Sequence, residues 1–289
     1  MYDDLLLPYD GSDGAEAILG HAAAIARWAD ATVHVLFVAD TNQTSVSVVG
    51  TRAIDGLVQR GEAVVAGAAE ALDSDGVAHE TDVVQGTPAP TVVEYADQHD
   101  HDLIVVPTHG REGLSRYLVG SVAETVVRLA ATPVLTARMR PDERLTFPYE
   151  RLLVPTDGSD AATRAATHGL SLAAALDATV HLLSVVDDTS LGPGMRSTVV
   201  ESAVEEAARA AVDDLAETAA ERGVDVVRHV DHGAPAEAIR DRVETADAHA
   251  VVMGTTGRRG TDRILVGSIA EQTVRSASVP VITVGDESG

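Results

Sequence analysis

The chain is 289 residues long, with 45 acidic residues against 21 basic ones, a formal net charge of −24 and no cysteine. That charge opposes nucleic acid and anionic membrane surfaces as partners, and the missing thiols exclude disulfides, thiol catalysis and cysteine-held metals. All the basic residues are arginine and none is lysine; this resembles cytoplasmic, halophilic proteins of cells that accumulate molar salt, where a Debye length of about 3 Å screens the repulsion. Met1-Tyr2-Asp3-Asp4 has neither the basic start nor the apolar core of a signal peptide. No run reads as a membrane span of about 18 apolar residues, so a soluble cytoplasmic chain is expected.

In chain order, Leu5–Pro8 reads as a strand and Gly14–Ala29 as a helical segment. Strands follow at Thr32–Val38, Ala78–Val84, Leu103–Val106 and Pro133–Thr136, between helical segments near Val48–Leu72, Pro88–His99 and Val122–Ala131. Arg138–Tyr149, with Pro141 and Pro148, is the expected linker, which places the domains at 1–137 and 150–289. Beyond it, strands recur at Leu152–Thr156, Thr179–Val186, Val224–Val230, Ala250–Gly254 and Val281–Val284. Strands alternating with helices predict an α/β fold, each half a parallel sheet covered on both faces.

The second half repeats the first at a constant offset of 147 residues. Pro8-Tyr9-Asp10-Gly11-Ser12-Asp13 matches Pro155-Thr156-Asp157-Gly158-Ser159-Asp160, Gly86 matches Gly233, and Pro133 matches Pro280. Each repeat has the size of a domain and exceeds a solenoid unit, so the halves are tandem domains of one fold.

Ligands of such sheets bind beyond the C-terminal strand ends, at the switch in strand order. There the second half carries Gly254-Thr255-Thr256-Gly257, nine residues, then Gly267-Ser268; the first carries Thr108-His109-Gly110, nine residues, then Gly120-Ser121. Glycines admit close backbone approach, and a helix N-terminus with converging amides of Gly267, Ser268 and Thr255–Gly257 suits phosphate. Ser121-Val122-Ala123-Glu124 and Ser268-Ile269-Ala270-Glu271 also fit a capping box, which needs no ligand. Asp10 and Asp157 either accept hydrogen bonds from a ribose or adenine, or only organise the turn while Ser12 and Ser159 cap the next helix. Arg258, Arg259 and Arg263, or Arg111 and Arg116, either add charge to the site or lie on solvated surface.

Both halves resemble the universal stress protein family in its nucleotide-binding branch, whose signature is G-x-x-G-x9-G followed by Ser or Thr. Gly254, Gly257, Gly267 and Ser268 carry it in full, and Asp157 matches the family's first-strand aspartate. The resemblance implies two doubly wound five-stranded parallel sheets of Rossmann-like order 3-2-1-4-5, binding ATP or another adenine nucleotide with Mg²⁺. In the second half it implicates Pro155, Thr156, Asp157, Val185, Gly254, Thr256, Gly257, Arg258, Gly267, Ser268 and Ile269. In the first it implicates Asp10, Val38, His109, Gly110, Gly120, Ser121 and Val122. Val38 and Val185 match positions whose backbone holds adenine, and otherwise read as core strand. His109 reaches phosphate or orders its loop. Pro107 replaces Gly254 and Tyr9 replaces Thr156, so the first site is expected to be the weaker.

The family also commonly pairs fifth strands across a dimer axis; here Val134–Thr136 and Val281–Val284 can pair within one chain, an internal pseudo-dimer with further homodimerisation open. The implied role is a stress-response protein that signals by nucleotide occupancy to an unknown protein partner. No general base is placed for the γ-phosphate, so no catalytic residue is assigned. The alternatives are a slow ATP hydrolase or autophosphorylating protein, and a scaffold that binds no nucleotide. His99-Asp100-His101-Asp102 reads as a polar connection with too few fixed ligands for a metal, and His34 and His181 as packing or edge residues.

Overall fold

The computed structural model describes residues 1–40, 51–108, 120–140, 142–187, 198–255 and 267–285, with the backbone alone described at 51–55 and 198–201. The chain forms two compact units, Met1–Pro141 and Asp142–Gly289. Unit 1 runs β1 (Asp4–Pro8), α1 (Asp13–Ala29), β2 (Thr32–Asp40), α2 (Thr51–Ser74), β3 (His79–Gly86), α3 (Pro88–Gln98), β4 (Leu103–Pro107), α4 (Ser121–Leu129) and β5 (Val134–Ala137). Unit 2 runs β6 (Arg151–Pro155), α5 (Asp160–Leu176), β7 (Thr179–Val186), α6 (Thr198–Glu221), β8 (Val226–His232), α7 (Pro235–Thr245), β9 (Ala250–Gly254), α8 (Ser268–Ser276) and β10 (Val281–Val284).

Each unit's sheet is parallel and has the expected order: β3-β2-β1-β4-β5 in unit 1 and β8-β7-β6-β9-β10 in unit 2. Central strands buried on both faces explain the uninterrupted apolar runs: Leu5, Leu6, Leu7, Leu103, Ile104 and Val105 have no exposed surface, nor do Leu152, Leu153, Val154, Val251 and Val252. Edge strands differ, and Glu80, Thr81 and Asp82 on β3 face solvent, charges that blunt an edge against foreign pairing. The edge strands also sit later than the apolar pattern suggested, at His79–Gly86 instead of Ala78–Val84 and at Val226–His232 instead of Val224–Val230. One-sided burial there weakens the apolar signal.

The helix ends are built alike in both units. Ser12 and Ser159 cap α1 and α5 by accepting from the amides of Ala15 (3.3 Å) and Ala162 (3.2 Å). Asp30 and Asp177 end the same helices in the left-handed region, φ 56° and 55°, which a short polar side chain tolerates. No helix among the described residues is long and apolar enough to cross a membrane.

The net charge of −24 makes stability sensitive to screening. The melting temperature is expected to rise steeply from dilute buffer to molar KCl; a curve flat across that range would contradict an adaptation to salt.

Candidate functional site

The strand ladders create a fork in each unit. β1 pairs with β4 only at Leu5/Leu103 and Leu6/Ile104. β1 then stays with β2, through Leu7/Val35 and Pro8/Leu36, while β4 stays with β5, through Val105/Leu135, Val106/Thr136 and Pro107/Ala137. In unit 2, β6 and β9 pair only at Leu152/Ala250 and Leu153/Val251, then part to β7 and β10. Strands leaving a shared ladder in opposite directions open a crevice at their C-terminal ends, the usual ligand position of such sheets.

One wall is the turn after the first strand. Tyr9 and Thr156 extend the ladder by donating to the carbonyls of Leu36 and Leu183, both at 2.8 Å. Asp10 Oδ1 accepts from the Ser12 amide and Asp157 Oδ1 from the Ser159 amide, each at 3.0 Å. Gly11 and Gly158 hold φ of 71° and 72°, where L side chains are strained. The turn-organising role of both aspartates is therefore built. A carboxylate has about four acceptor positions, so this bond does not by itself exhaust either side chain. Thr156 Oγ1 also accepts from the Gly158 amide, 3.1 Å; Tyr9 has no hydroxyl at that point and is buried to 6% exposure. Burial, then Glu16 and Asp10, raises its phenol above the usual range, keeping it neutral.

The other wall is the start of α4 and α8. The Gly267 amide donates to the Thr255 carbonyl, 2.6 Å, and that of Gly120 to Thr108, 2.5 Å, with both threonines buried. This corrects the expectation that the Gly267 amide faces a ligand. The capping box is also not formed: Gly120 and Gly267 are the N-caps, with no side-chain cap bond, and Ser121 and Ser268 are the first helical residues. Glu271 is the first to donate within α8, to Gly267 at 3.0 Å. The amides of Ser268, Ile269 and Ala270 precede it and have no acceptor inside the helix. Ser268 and Ile269 are exposed while Ala270 is buried. Val38 and Val185 lie half-buried on β2 and β7, next in the ladder to Val84 and Asp231. His109, Gly110, Thr256, Gly257 and Arg258 lie outside the described residues.

Gly254 has a packing reason to be glycine: a Cβ there would lie 2.9 Å from the carbonyl oxygen of Ala161 and 3.0 Å from its carbon. The matched residues of unit 1 are Pro107 and Gly14, so bulk at one position is exchanged for bulk at the other. Position 254 directs its Cβ at the first turn of α5. The ladder does not suffer either, because Ile104 and Thr108 donate to Pro133 and Ala137 and alternation turns the Pro107 nitrogen away from β5. What unit 1 loses is one amide on the crevice side. Sequence reading missed Ala161 and Gly14, although comparing the repeats position by position holds the signal.

Comparison with known proteins agrees with this architecture. The pattern of the Universal stress protein family matches residues 1–138 and again 148–285. The chain is similar to the universal stress protein MJ0531 of Methanocaldococcus jannaschii, 34% identical over 155 residues that cover 52% of this chain and 89% of that protein. It is also similar to the universal stress protein Rv2005c of Mycobacterium tuberculosis, 32% identical over 216 residues, 70% of this chain and 67% of that protein. The crystal structure of a universal stress protein from Archaeoglobus fulgidus shares the fold at TM-score 0.75 and 21% identity, covering 98% of this chain and 96% of that one. With one matched span in each unit, the chain belongs to the universal stress protein family.

Proposed function

We propose that unit 2 binds an adenine nucleotide, ATP or a relative of it, at the fork of β6 and β9, and that occupancy of this site is the signal the protein delivers in a stress response. The observation that carries the reading is the start of α8, where exposed Ser268 and Ile269 present amides ahead of the first intrahelical bond. Such amides, at the positive end of a helix, favour phosphate. Asp157 stands across the fork with a carboxylate able to accept from a sugar hydroxyl, and the β7 backbone around Val185 is available to a base. In the sequence, Thr256, Gly257 and Arg258 belong to the glycine stretch that follows β9. Among the described residues no group of three or more histidine and carboxylate side chains is arranged for a metal ion, so Mg²⁺ enters as the counter-ion of the phosphates. Unit 1 offers Asp10, Val38, His109, Gly110, Gly120, Ser121 and Val122 at matched places, with one amide fewer at Pro107, and binds more weakly.

Proline tests the reading cleanly. At the first helical position it fits the helix while removing the N–H together with the serine hydroxyl, and Gly267 before it already has the extended ψ of 139° that a proline requires. Ser268→Pro is expected to weaken Mg-ATP binding about tenfold or more, the scale of a hydrogen bond to a charged group, with Ser121→Pro leaving the tighter phase unchanged. Calorimetric titration in molar KCl measures both. An intact protein that binds no nucleotide, or a Ser268→Pro variant that binds as before, overturns the proposal.

A further inference from the structure

At the opposite end of unit 1 from the fork, the corner between α3 and β4 encloses a histidine with nothing to bond. His101 is 5% exposed, and neither ring nitrogen meets a hydrogen-bond partner among the described residues. The sequence presented this stretch as a polar connection; the structure turns Asp100 through φ 52° and sends His101 inward. The backbone fixes it there, since the His101 amide donates to Ala96 (3.0 Å) and that of Asp102 to Asp4 (3.0 Å). The Asp102 carboxylate in turn accepts from the amides of Asp3 (2.7 Å) and Asp4 (3.1 Å).

The surroundings of the ring are titratable on every side. From β2, His34 meets it edge-on with ring centres 4.5 Å apart. From α3, Tyr95 and His99 lie at 5.7 and 6.0 Å. Behind His34 stand Asp4 on β1, its Oδ1 2.8 Å from Nε2, and Glu80 on β3, 3.7 Å from Nδ1. Asp82 on β3 accepts from the Tyr95 hydroxyl. His34 therefore has acid partners on both sides of its ring. His101 has none: a second proton on its ring would arrive in a buried site facing His34, with no acceptor but the Ala96 carbonyl already used by its own amide.

We propose that His101 is an acid-sensitive latch, a buried neutral base that holds the α3–β4 corner shut at neutral pH and takes up a proton only when that corner opens to water. Burial first, and then His34, hold the ring below the usual histidine range; the Ala96 carbonyl and Asp4 act against this, and His99 adds to it. The sign follows from linkage: the open form binds the proton, so the corner is fully secured above the ordinary histidine value of about 6.5 and loosens as pH falls below it. Below that value, and until the ring titrates within the closed corner, each pH unit raises the opening constant by up to about tenfold. α3 packs on α4, whose first turn lines the unit 1 fork, so the latch lies one helix away from that site. Its action is independent of whether nucleotide binds there.

The matched residue of unit 2 is Ala248, with no exposed surface, which indicates that alanine fits this corner. Amide exchange of residues 94–107, followed in the full chain at pH 7.5 and 5.0 in molar KCl and corrected for intrinsic exchange, reads the opening constant. In the wild type it is expected to rise by one proton's dependence more than in His101→Ala. His101→Phe, which keeps a ring and loses the proton, is expected to behave like His101→Ala. Equal pH dependence in the wild type and either folded variant overturns the latch, whatever the variants do to absolute stability.

Discussion

Replacing Gly254 with alanine is expected to destabilise unit 2 by about 1–3 kcal/mol, the usual cost of forcing a methyl group into a filled space. The new Cβ would meet the Ala161 carbonyl group at 2.9–3.0 Å, and backbone in the first turn of a helix does not rotate aside as a side chain would. That turn is anchored besides, by the Ser159 cap and by the Thr163 amide donating to the Ser159 carbonyl at 2.9 Å. Ala161→Gly alone should cost about 0.5–1 kcal/mol through lost helix preference. Combined with Gly254→Ala it should recover part of the loss, because glycine lets the backbone of the first turn give way around the carbonyl that the new Cβ meets, and the pair reproduces the exchange present at Pro107 and Gly14. Denaturant unfolding of the two single variants and the double one forms a cycle whose non-additivity measures the contact. An additive cycle, or a Gly254→Ala protein as stable as the parent, would remove the packing explanation for this glycine.

Acid should weaken both units through a second, matched pair of histidines. His21 on α1 and His168 on α5 occupy equivalent positions, and burial lowers each from the ordinary 6.5 to about 4. A base whose folded value is depressed is neutral in the native state and charged in the unfolded one. Its contribution is complete above about pH 6.5 and declines as pH falls towards 4. At pH 5 the unfolded chain binds nearly one more proton at His21, worth about 2 kcal/mol. His168 is partly exposed and should contribute less. Unfolding free energies at pH 8 and pH 5 for the parent and for His21→Leu test this. The variant should lose about 2 kcal/mol less over that interval, and an unchanged difference would show that His21 is protonated in the native state.

The central features of the fold were legible because their causes are local. Apolar runs such as Leu5–Leu7 and Leu103–Val106 announce strands buried on both faces, and the Ser12 and Ser159 caps follow from their place before alanine-rich segments. The strand order came from family resemblance and not from the residues themselves. At the site, Asp10 and Asp157 fall in the turn two residues past the first strand, and the start of α8 was misread by one residue. The sequence S-x-x-E fits a capping box, yet Gly267, bonded to Thr255 twelve positions back in the sequence, is the cap. No local pattern reports a bond spanning that distance. The partnership of Gly254 with Ala161 and the burial of His101 were hidden for the same reason, since each depends on a neighbour brought by the fold.

That closing bond has a bearing on what holds the helix start in place. Thr255 and Gly267, with eleven residues of sequence between them, are held together by one backbone hydrogen bond. Lengthening a flexible connection between fixed ends costs little, about 0.6 kcal/mol for each doubling. The helix start at Ser268 is positioned from outside the loop, by a carbonyl of the strand end. Insertions and deletions in the sequence between two such anchors therefore need not displace the amides beyond them, so that stretch of sequence can vary in length while the start of α8 stays where it is.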